Sequence, residues 1–190
     1  MTERRSDTRA RRSSPAPRFL AVDFFCGAGG TTRGLIDAGG YVMAGVDKDG
    51  RCERTFIENN VNVTLDLSSA RFLKYDIFRR TKDYPKGRQR PLFQELDDLI
   101  DYYRNKAKHA PLLFAICAPC QPFTKLARKE MSEGRQEARA RDMSLLREAG
   151  RFVARYRPEL VLSENVAGIG EGKYGGVWDA SGSSWKNSAM

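Results

Sequence analysis

The sequence predicts an α/β fold, with a doubly wound and mostly parallel sheet covered by helices on both faces. Apolar runs of strand length alternate along its 190 residues with segments whose apolar residues recur at helical spacing. A glycine-rich turn follows the first apolar run, and polar residues stand directly after several later runs. Because open α/β sheets place their chemistry at the carboxyl ends of strands, these polar positions are candidates for a functional site.

Composition and charge favour a polyanionic partner. The formal net charge is +9 and the isoelectric point is about 9.6, which points to nucleic acid before other partners. No apolar run approaches the roughly 20 residues of a membrane span, and no signal-peptide core is present. Four cysteines without a framework-like spacing indicate reduced thiols in a cytosolic setting. We therefore expect no membrane partner and no disulfide scaffold.

The first predicted strand, residues 19–25, leads into a turn with the sequence Cys-Gly-Ala-Gly-Gly at residues 26–30, and a helix follows. Glycines allow a ligand to approach the backbone, and the start of a helix offers free N–H groups. Gly27, Gly29 and Gly30 are therefore candidates for binding a cofactor that contains a nucleoside. The spacing is not G-x-G-x-x-G, so a purely structural turn is the alternative.

The next two predicted strands end in acidic residues. Residues 41–46 lead to Asp47, seventeen positions after the last glycine of the turn. An acidic side chain at this position typically binds the two hydroxyls of a ribose, which strengthens the cofactor interpretation. Lys48 lies either near the base of the same ligand or in solvent. Residues 74–77 close a third predicted strand and place Asp76 at its carboxyl tip.

The fourth predicted strand, Leu112 to Ile116, delivers Cys120 within the segment Ala-Pro-Cys-Gln-Pro-Phe. A thiol at that edge can act as a nucleophile when a base takes its proton or its pKa is lowered. A buried structural cysteine is the alternative. Cys117 and Cys120 also form a C-x-x-C pair. The sequence has no second pair, which argues against a four-ligand zinc site and leaves a redox pair open.

The remaining elements continue the alternation of strands and helices. They are a charged loop at residues 79–90, a helix with Pro91 at its first position, a charged loop at about 124–137, an amphipathic helix from about 138 to about 155, and a fifth strand at 160–162. The second loop is either solvated or a lid with phosphate contacts. The fifth strand ends in Ser-Glu-Asn-Val, so Glu164 and Asn165 share an edge with Cys120.

These motifs together resemble the amino-terminal part of the catalytic domain of cytosine-C5 DNA methyltransferases of the bacterial restriction–modification type. The most specific motifs are Pro-Cys-Gln at residues 119–121 and Glu-Asn-Val at 164–166, in this order and on these strands. The glycine-rich motif at 23–30 is less specific. Asp47 and the Asp-Ile pair at 76–77 complete the match.

The resemblance implies S-adenosylmethionine as cofactor and S-adenosylhomocysteine as product, bound in the Rossmann-like fold of S-adenosylmethionine-dependent methyltransferases. The implied cofactor-binding residues are Asp23, Phe25, Gly27, Gly29, Gly30, Asp47, Lys48, Asp76 and Ile77. The implied catalytic residues are Pro119, Cys120, Gln121, Glu164 and Asn165. No metal is expected.

In the implied reaction, the target cytosine is flipped out of duplex DNA because its reactive atoms are inaccessible in the base stack. The Cys120 thiolate adds to C6, which makes C5 nucleophilic enough to take the methyl group. Glu164 contacts N3 and the exocyclic amine, a role that requires a carboxyl group that carries or shares a proton. Asn165 braces the segment that holds the nucleophile.

The resemblance covers about residues 19–172 and stops short of the later parts of such enzymes. The sequence lacks a Gln-x-Arg-x-Arg motif, a target recognition domain and a carboxyl-terminal cofactor-binding segment. We expect a disordered basic tail at 1–17, the amino-terminal part of a catalytic domain at 18–172, and an irregular tail at 173–190. The chain is then a subunit of a split enzyme, a truncated gene product or a cloned fragment, weak or inactive alone. A sheet incomplete on its carboxyl-terminal side exposes a strand edge and apolar surface to a second chain or to aggregation.

Double-stranded DNA in the bacterial cytoplasm or nucleoid is the implied substrate, and two alternatives stay open. Enzymes that methylate tRNA cytosine share the same motifs. A non-catalytic regulatory or DNA-binding partner could keep the fold without the chemistry. Adenine-N6 methylation is not supported, because the sequence has no Asp-Pro-Pro-Tyr or Asn-Pro-Pro-Tyr segment.

Overall fold

Five parallel strands form one sheet in the computed structural model, which describes residues 14–119 and 133–164, with the backbone alone for 133–143. The strands are β1 (Leu20–Phe24), β2 (Tyr41–Asp47), β3 (Arg71–Lys74), β4 (Leu112–Ile116) and β5 (Leu160–Ser163). The helices are α1 (Gly30–Asp37), α2 (Glu53–Asn59), α3 (Gln89–Lys106) and α4 (Glu133–Tyr156), with a 3-10 turn at Gly50–Cys52. The strand order is β3-β2-β1-β4-β5, which confirms the predicted parallel α/β fold. Within the described ranges, no helix combines the length and the apolarity that crossing a membrane requires.

Helices cover both faces of the sheet. On one face, α3 and α4 pack against large side chains of the central strands, such as Phe24 and Phe114, whose ring centroids are 5.1 Å apart. On the other face, Ala21 meets Ile36 of α1 and Phe56 of α2. Strand residues alternate between the two faces, so the central strands are buried on both sides, as their continuous apolar runs predict.

The pairing of β1 with β2 contains one irregularity that decides which way the end of β2 faces. The register shifts by one residue between Ala21 and Val22, so β2 carries one extra residue. Because strand side chains alternate, one extra residue moves all later side chains to the opposite face. Gly45 consequently faces Phe56 of α2. Asp47, two positions later in the strand, points to the same face of the sheet.

Helix α2 approaches the sheet and the glycine-rich turn so closely that only glycine fits at two positions. A Cβ atom on Gly45 would lie 2.5 Å from the Phe56 ring, and one on Gly29 would lie 2.1 Å from the Asn60 amide nitrogen. Gly29 also has φ +91°, a backbone conformation that other residues rarely adopt. The end of α2 therefore supports the turn between β1 and α1 from below.

Asp23 is buried beneath the same turn, with 1% of its surface exposed. One carboxylate oxygen accepts a hydrogen bond of 2.6 Å from the Thr32 hydroxyl, which joins β1 to the first turns of α1. The other oxygen has no hydrogen-bond partner within the described ranges. Burial raises the pKa of Asp23 from 3.8 to about 6, against the lowering effect of the Thr32 hydrogen bonds and with a small further rise from Asp47.

Strand β5 forms one edge of the sheet, and its apolar side chains are exposed. Leu160, Val161 and Leu162 retain 45%, 36% and 45% of their surface. Neighbouring residues on a strand point to opposite faces, so both faces of β5 are open within the described part of the chain. Whether the sheet is incomplete on its carboxyl-terminal side stays a prediction, because residues 165–190 lie outside the described residues.

The disordered tail predicted at residues 1–17 ends earlier in the structure than we expected. The Pro15 carbonyl accepts a hydrogen bond of 3.0 Å from the Leu65 N–H, and Pro17 is buried. These contacts attach the segment to the domain, so the boundary has to move about three residues towards the amino terminus. Residues 1–13 and the irregular tail predicted at 173–190 lie outside the described residues.

Three element boundaries also differ from the predictions. Strand β3 ends at Lys74, so Asp76 follows the strand by two positions. Helix α3 begins two residues before Pro91 and not at it. Proline is accommodated there because the first N–H groups of a helix have no partner within the helix. Helix α4 begins at Glu133, within the stretch predicted as a loop and before the expected start near residue 138.

Replacing Gly45 by alanine should destabilise the domain. The added methyl group would meet the Phe56 ring at 2.5 Å and the Cys26 sulfur at 2.7 Å, and overpacking of this kind typically costs about 1–3 kcal/mol. Gly34→Ala is the matched control, because its Cβ would meet nothing within 4 Å and it lies inside α1. Alanine there should stabilise the helix by about 0.5–1 kcal/mol. Equal unfolding free energies for the two variants in denaturant titrations would contradict this packing.

Replacing Asp23 by asparagine should change how stability depends on pH. The folded state binds the Asp23 proton more tightly than the unfolded state does. The resulting stabilisation is full below pH 3.8 and is lost as pH rises through about 6. From pH 4 to 7, the wild type should therefore lose up to about 3 kcal/mol relative to Asp23→Asn. Denaturant titrations across this range would measure the difference, and parallel pH profiles would contradict the burial of an ionisable carboxyl group.

Candidate functional site

A cavity opens at the carboxyl edge of the sheet, beside the ends of β1, β2 and β3. Its non-atom space, with the open solvent at its mouth included, is about 520 Å³. Most of its wall is apolar, with a few acidic and basic groups. The lining residues are Phe25, Val46, Asp47, Lys48, Tyr75, Asp76, Ile77, Phe78, Cys117, Pro119 and Leu145.

Asp47 connects the end of β2 to the glycine-rich turn. One of its carboxylate oxygens accepts a hydrogen bond of 3.0 Å from the Gly27 N–H, and the other accepts one of 2.8 Å from the Asp49 N–H. Each carboxylate oxygen can accept more than one hydrogen bond, so acceptor capacity remains for a ligand. The backbone contacts fix the side chain at the cavity wall in one orientation.

Phe25 reaches the cavity from a strained backbone. Its φ is +61°, in the left-handed region that a bulky residue rarely adopts. Its N–H donates to the Val46 carbonyl at 2.8 Å, which holds the residue at the end of β1 against β2. Such outliers typically cost about 1–3 kcal/mol and concentrate at ligand sites, where the surrounding structure maintains them. The strain therefore supports a binding role for this edge.

The segment after β3 forms the opposite wall. The Asp76 carboxylate accepts a hydrogen bond of 3.2 Å from the Phe78 N–H, which fixes the turn that carries Ile77. The Tyr75 ring has the Arg88 guanidinium over it at 4.9 Å, and its hydroxyl donates to Glu95 at 2.5 Å. An aromatic ring, a branched aliphatic side chain and an acidic group thus face the same space.

The ends of β4 and β5 lie next to one another beside the cavity. The Ser163 hydroxyl donates to the Ile116 carbonyl at 3.1 Å, and the Glu164 backbone hydrogen-bonds to the Cys117 sulfur. Glu164 itself is exposed. The structure therefore brings the predicted Pro119 and Glu164 to neighbouring strand tips. The predicted Cys120, Gln121 and Asn165 lie outside the described residues.

Burial disfavours the thiolate form of the two cysteines described near this edge. Burial raises the pKa of both the Cys26 and the Cys117 thiol, and the charge of Asp23 adds to the rise at each. A reactive thiol needs the opposite shift. This counts against Cys117 as the attacking member of a redox pair. No group of three metal-ligating side chains occurs among the residues that the structure describes.

Five of the nine predicted cofactor-binding residues line the cavity, namely Phe25, Asp47, Lys48, Asp76 and Ile77. The other four, Asp23, Gly27, Gly29 and Gly30, belong to the turn and its support and do not line the cavity. The prediction missed Val46, Tyr75, Phe78, Cys117 and Leu145. The first three adjoin predicted site positions in the sequence and Cys117 lies two positions before Pro119, which is the signal that could have found them. Leu145 reaches the cavity from α4, and no local pattern indicates that.

Comparison with known proteins gives one informative relative. No family model matches the sequence. The chain is 30% identical over 145 residues to the Type II methylase M.HgiDII of Herpetosiphon aurantiacus. The match covers 76% of this chain and 32% of the methylase, so the chain spans about a third of the length of that relative.

A solved structure shares the fold. It is described as a DNA modification methyltransferase encoded within a prophage (E. coli), and it matches with a TM-score of 0.54 at 18% identity. The match covers 89% of this chain and 38% of that chain. At this identity, the likeness establishes a Rossmann-like α/β fold. The matched part of the sequence is thus similar to a Type II methylase, and the fold is similar to that of a solved DNA modification methyltransferase.

Proposed function

We propose that this chain is part of an enzyme that transfers a methyl group from S-adenosylmethionine to C5 of cytosine in double-stranded DNA. The observation that carries the proposal is the cavity at the carboxyl edge, with Asp47 fixed against the glycine-rich turn. The sequence match to a methylase supports the same reaction class. Its expected location is the cytoplasm of a bacterium.

The residues around the cavity suit the proposed cofactor. S-adenosylmethionine supplies an electrophilic methyl group, and it contains a ribose, an adenine and a charged amino acid part. Asp47 has acceptor capacity for ribose hydroxyls. Phe25, Tyr75 and Ile77 offer apolar surface for a planar base, with Lys48 and Asp76 beside it. The proposed binding residues Gly27, Gly29 and Gly30 form the turn that orients Asp47 through the Gly27 N–H, and Asp23 holds the turn in place through Thr32.

The proposed catalytic residues follow Pro119 and Ser163, at the ends of β4 and β5. The Cys120 thiolate forms a bond to C6 of a flipped-out cytosine, and the electron pair moves to C5, which takes the methyl group. Glu164 holds a proton at N3 and so relieves the charge on the ring. Loss of the C5 proton then expels the thiolate and restores the ring. Pro119, Gln121 and Asn165 position the nucleophile segment.

Two alternative functions are methylation of tRNA and a non-catalytic binding role. A tRNA substrate would use the same residues, and the charge of +9 suits either nucleic acid. A non-catalytic partner would bind DNA or protein without the cofactor. The chain spans about a third of its relative, so a second chain that carries a recognition domain is also proposed.

Replacing Asp47 by alanine should weaken cofactor binding. Hydrogen bonds to a charged group contribute about 1.5–3 kcal/mol, so the affinity for S-adenosylmethionine should fall by roughly 10- to 150-fold in isothermal titration calorimetry. Asp37→Ala is the matched control, because Asp37 is exposed on α1 and paired with Arg33. Its affinity should equal that of the wild type.

A second readout of cofactor binding uses the half-buried Cys117 in the cavity wall. S-adenosylhomocysteine should slow alkylation of Cys117 in the wild type, as measured on its peptide by mass spectrometry. It should give no protection in Asp47→Ala. Equal affinity and equal protection in the two proteins, with unchanged circular dichroism, would contradict a cofactor role for the cavity.

Replacing Cys120 by alanine should abolish methyl transfer, because the C6 adduct cannot form. The measurement is transfer of a labelled methyl group from S-adenosylmethionine to unmethylated duplex DNA, with tRNA as the competing substrate. Cys52→Ala is the matched control, since Cys52 does not line the cavity, and it should keep the wild-type rate. Undiminished transfer by Cys120→Ala would contradict the cytosine-C5 mechanism, and transfer to tRNA alone would favour the alternative substrate.

A further inference from the structure

The segment that follows β3 and includes the first two residues of α3 concentrates positive charge at the surface. Residues 79–90, which we name the basic rim, contain six basic residues and one acidic residue. All six basic side chains are exposed. They are Arg79, Arg80, Lys82, Lys86, Arg88 and Arg90, against Asp83. The net charge of the basic rim is therefore more than half of the net charge of +9 carried by the whole chain.

These charges have little neutralisation inside the described part of the molecule. Other exposed arginines form ion pairs, such as Arg54 with Glu58 and Arg155 with Asp97. Among residues 14–119 and 133–164, Arg88 is the only basic residue of the basic rim whose charged group contacts a partner. That partner is the Tyr75 ring. Unpaired like charges held close together repel one another, so such a cluster is stabilised by an anionic partner.

The basic rim has a defined backbone conformation, held by internal contacts. The Tyr84 ring stacks on Phe78 with centroids 4.0 Å apart and an interplanar angle of 11°. The Tyr84 N–H donates to the Thr81 hydroxyl at 3.1 Å, and the Gly87 N–H donates to the Tyr84 carbonyl at 3.0 Å. The cations are therefore presented from a fixed backbone, which lowers the entropy lost on binding.

The base of the basic rim is attached to the wall of the cavity. The Arg88 N–H donates to the Asp76 carbonyl at 2.9 Å, and the Gln89 N–H donates to the Phe78 carbonyl at 3.1 Å. The Gln89 side chain also donates to the Ile77 carbonyl at 3.0 Å. Asp76, Ile77 and Phe78 all line the cavity. The backbone that carries these charges is thus joined to the wall of the proposed cofactor site, and the Arg88 guanidinium lies over the ring of Tyr75 in that wall.

We propose that the basic rim binds backbone phosphates of duplex DNA and so positions the duplex beside the cavity. This inference rests on the proposed function. S-adenosylmethionine carries no phosphate, so the cofactor does not account for a run of unpaired cations. Duplex DNA presents one negative charge about every 1.7 Å, and lysine and arginine contacts to it fix the register of a protein without reading sequence.

The test compares two double variants with the same change in net charge. Lys82→Gln/Lys86→Gln removes cations from the basic rim. Lys106→Gln/Lys108→Gln removes two exposed lysines at the end of α3 and just after it. Lys106 lies 6.0 Å from the ring of Tyr103, whose hydroxyl accepts a hydrogen bond from Tyr41 at the opposite, amino-terminal edge of the sheet. Fluorescence anisotropy with a labelled, mixed-sequence duplex gives the binding constant of the full chain over a salt series.

The basic rim variant should bind the duplex more weakly and reduce the slope of log K against log salt by about 1–2, since each phosphate contact contributes about 0.9. The control variant should keep the wild-type slope. Equal slopes for the two variants would overturn the proposal. So would no binding of duplex DNA by the wild type, or binding that depends on the basic rim only for a folded RNA.

The affinity for S-adenosylmethionine separates this proposal from the proposed function. The basic rim variant should bind the cofactor as the wild type does, because neither lysine lines the cavity. A wild-type chain that binds duplex DNA through the basic rim but binds no cofactor would contradict the proposed function alone. A chain that binds cofactor but shows no dependence of DNA binding on Lys82 and Lys86 would contradict the basic rim alone.

Discussion

The hydrogen bond from the Gly27 N–H to the Asp47 carboxylate is the contact on which the site depends. It links the turn after β1 to the end of β2, twenty residues further along the chain, so that these two neighbouring strand ends form one wall of the cavity. The extra residue in β2 makes the contact possible, because it determines the face of the sheet on which the Asp47 side chain lies. The helix α2 then closes the arrangement from below, through Phe56 against Gly45 and Asn60 against Gly29.

Part of this arrangement could be predicted from sequence because it depends on local periodicity. The continuous apolar run at Leu112–Ile116 coincides with β4, and Asp47 stands at the end of β2. The register shift between β1 and β2 has no local signature in the sequence, since it is a property of how the two strands pair. The early start of α4 was missed because charged residues and Gly134 hide the helical pattern. Leu145 enters the cavity by tertiary packing alone.

The site is built at a cost in stability that the surrounding structure offsets. Phe25 is held at a positive φ, Asp23 is an ionisable group without solvent, and the Asn60 amide oxygen has no partner among the described residues. Each would be unfavourable in isolation. They occur directly around the glycine-rich turn, beside Asp47 and the cavity wall. Large aromatic contacts on the α3 and α4 side of the sheet supply compensating burial.

The strand order has a consequence for the way the polypeptide emerges and folds. β1 lies at the centre of the sheet, yet Leu20 pairs with Tyr41 on one side and with Leu112, more than ninety positions later, on the other. During synthesis, β1, α1 and β2 can assemble while the second side of β1 still lacks its neighbour. Pairing over such a separation is slow, because the loop must close before its contacts form. The nascent chain therefore passes through a stage in which its central strand is half covered, a stage at which chaperones act.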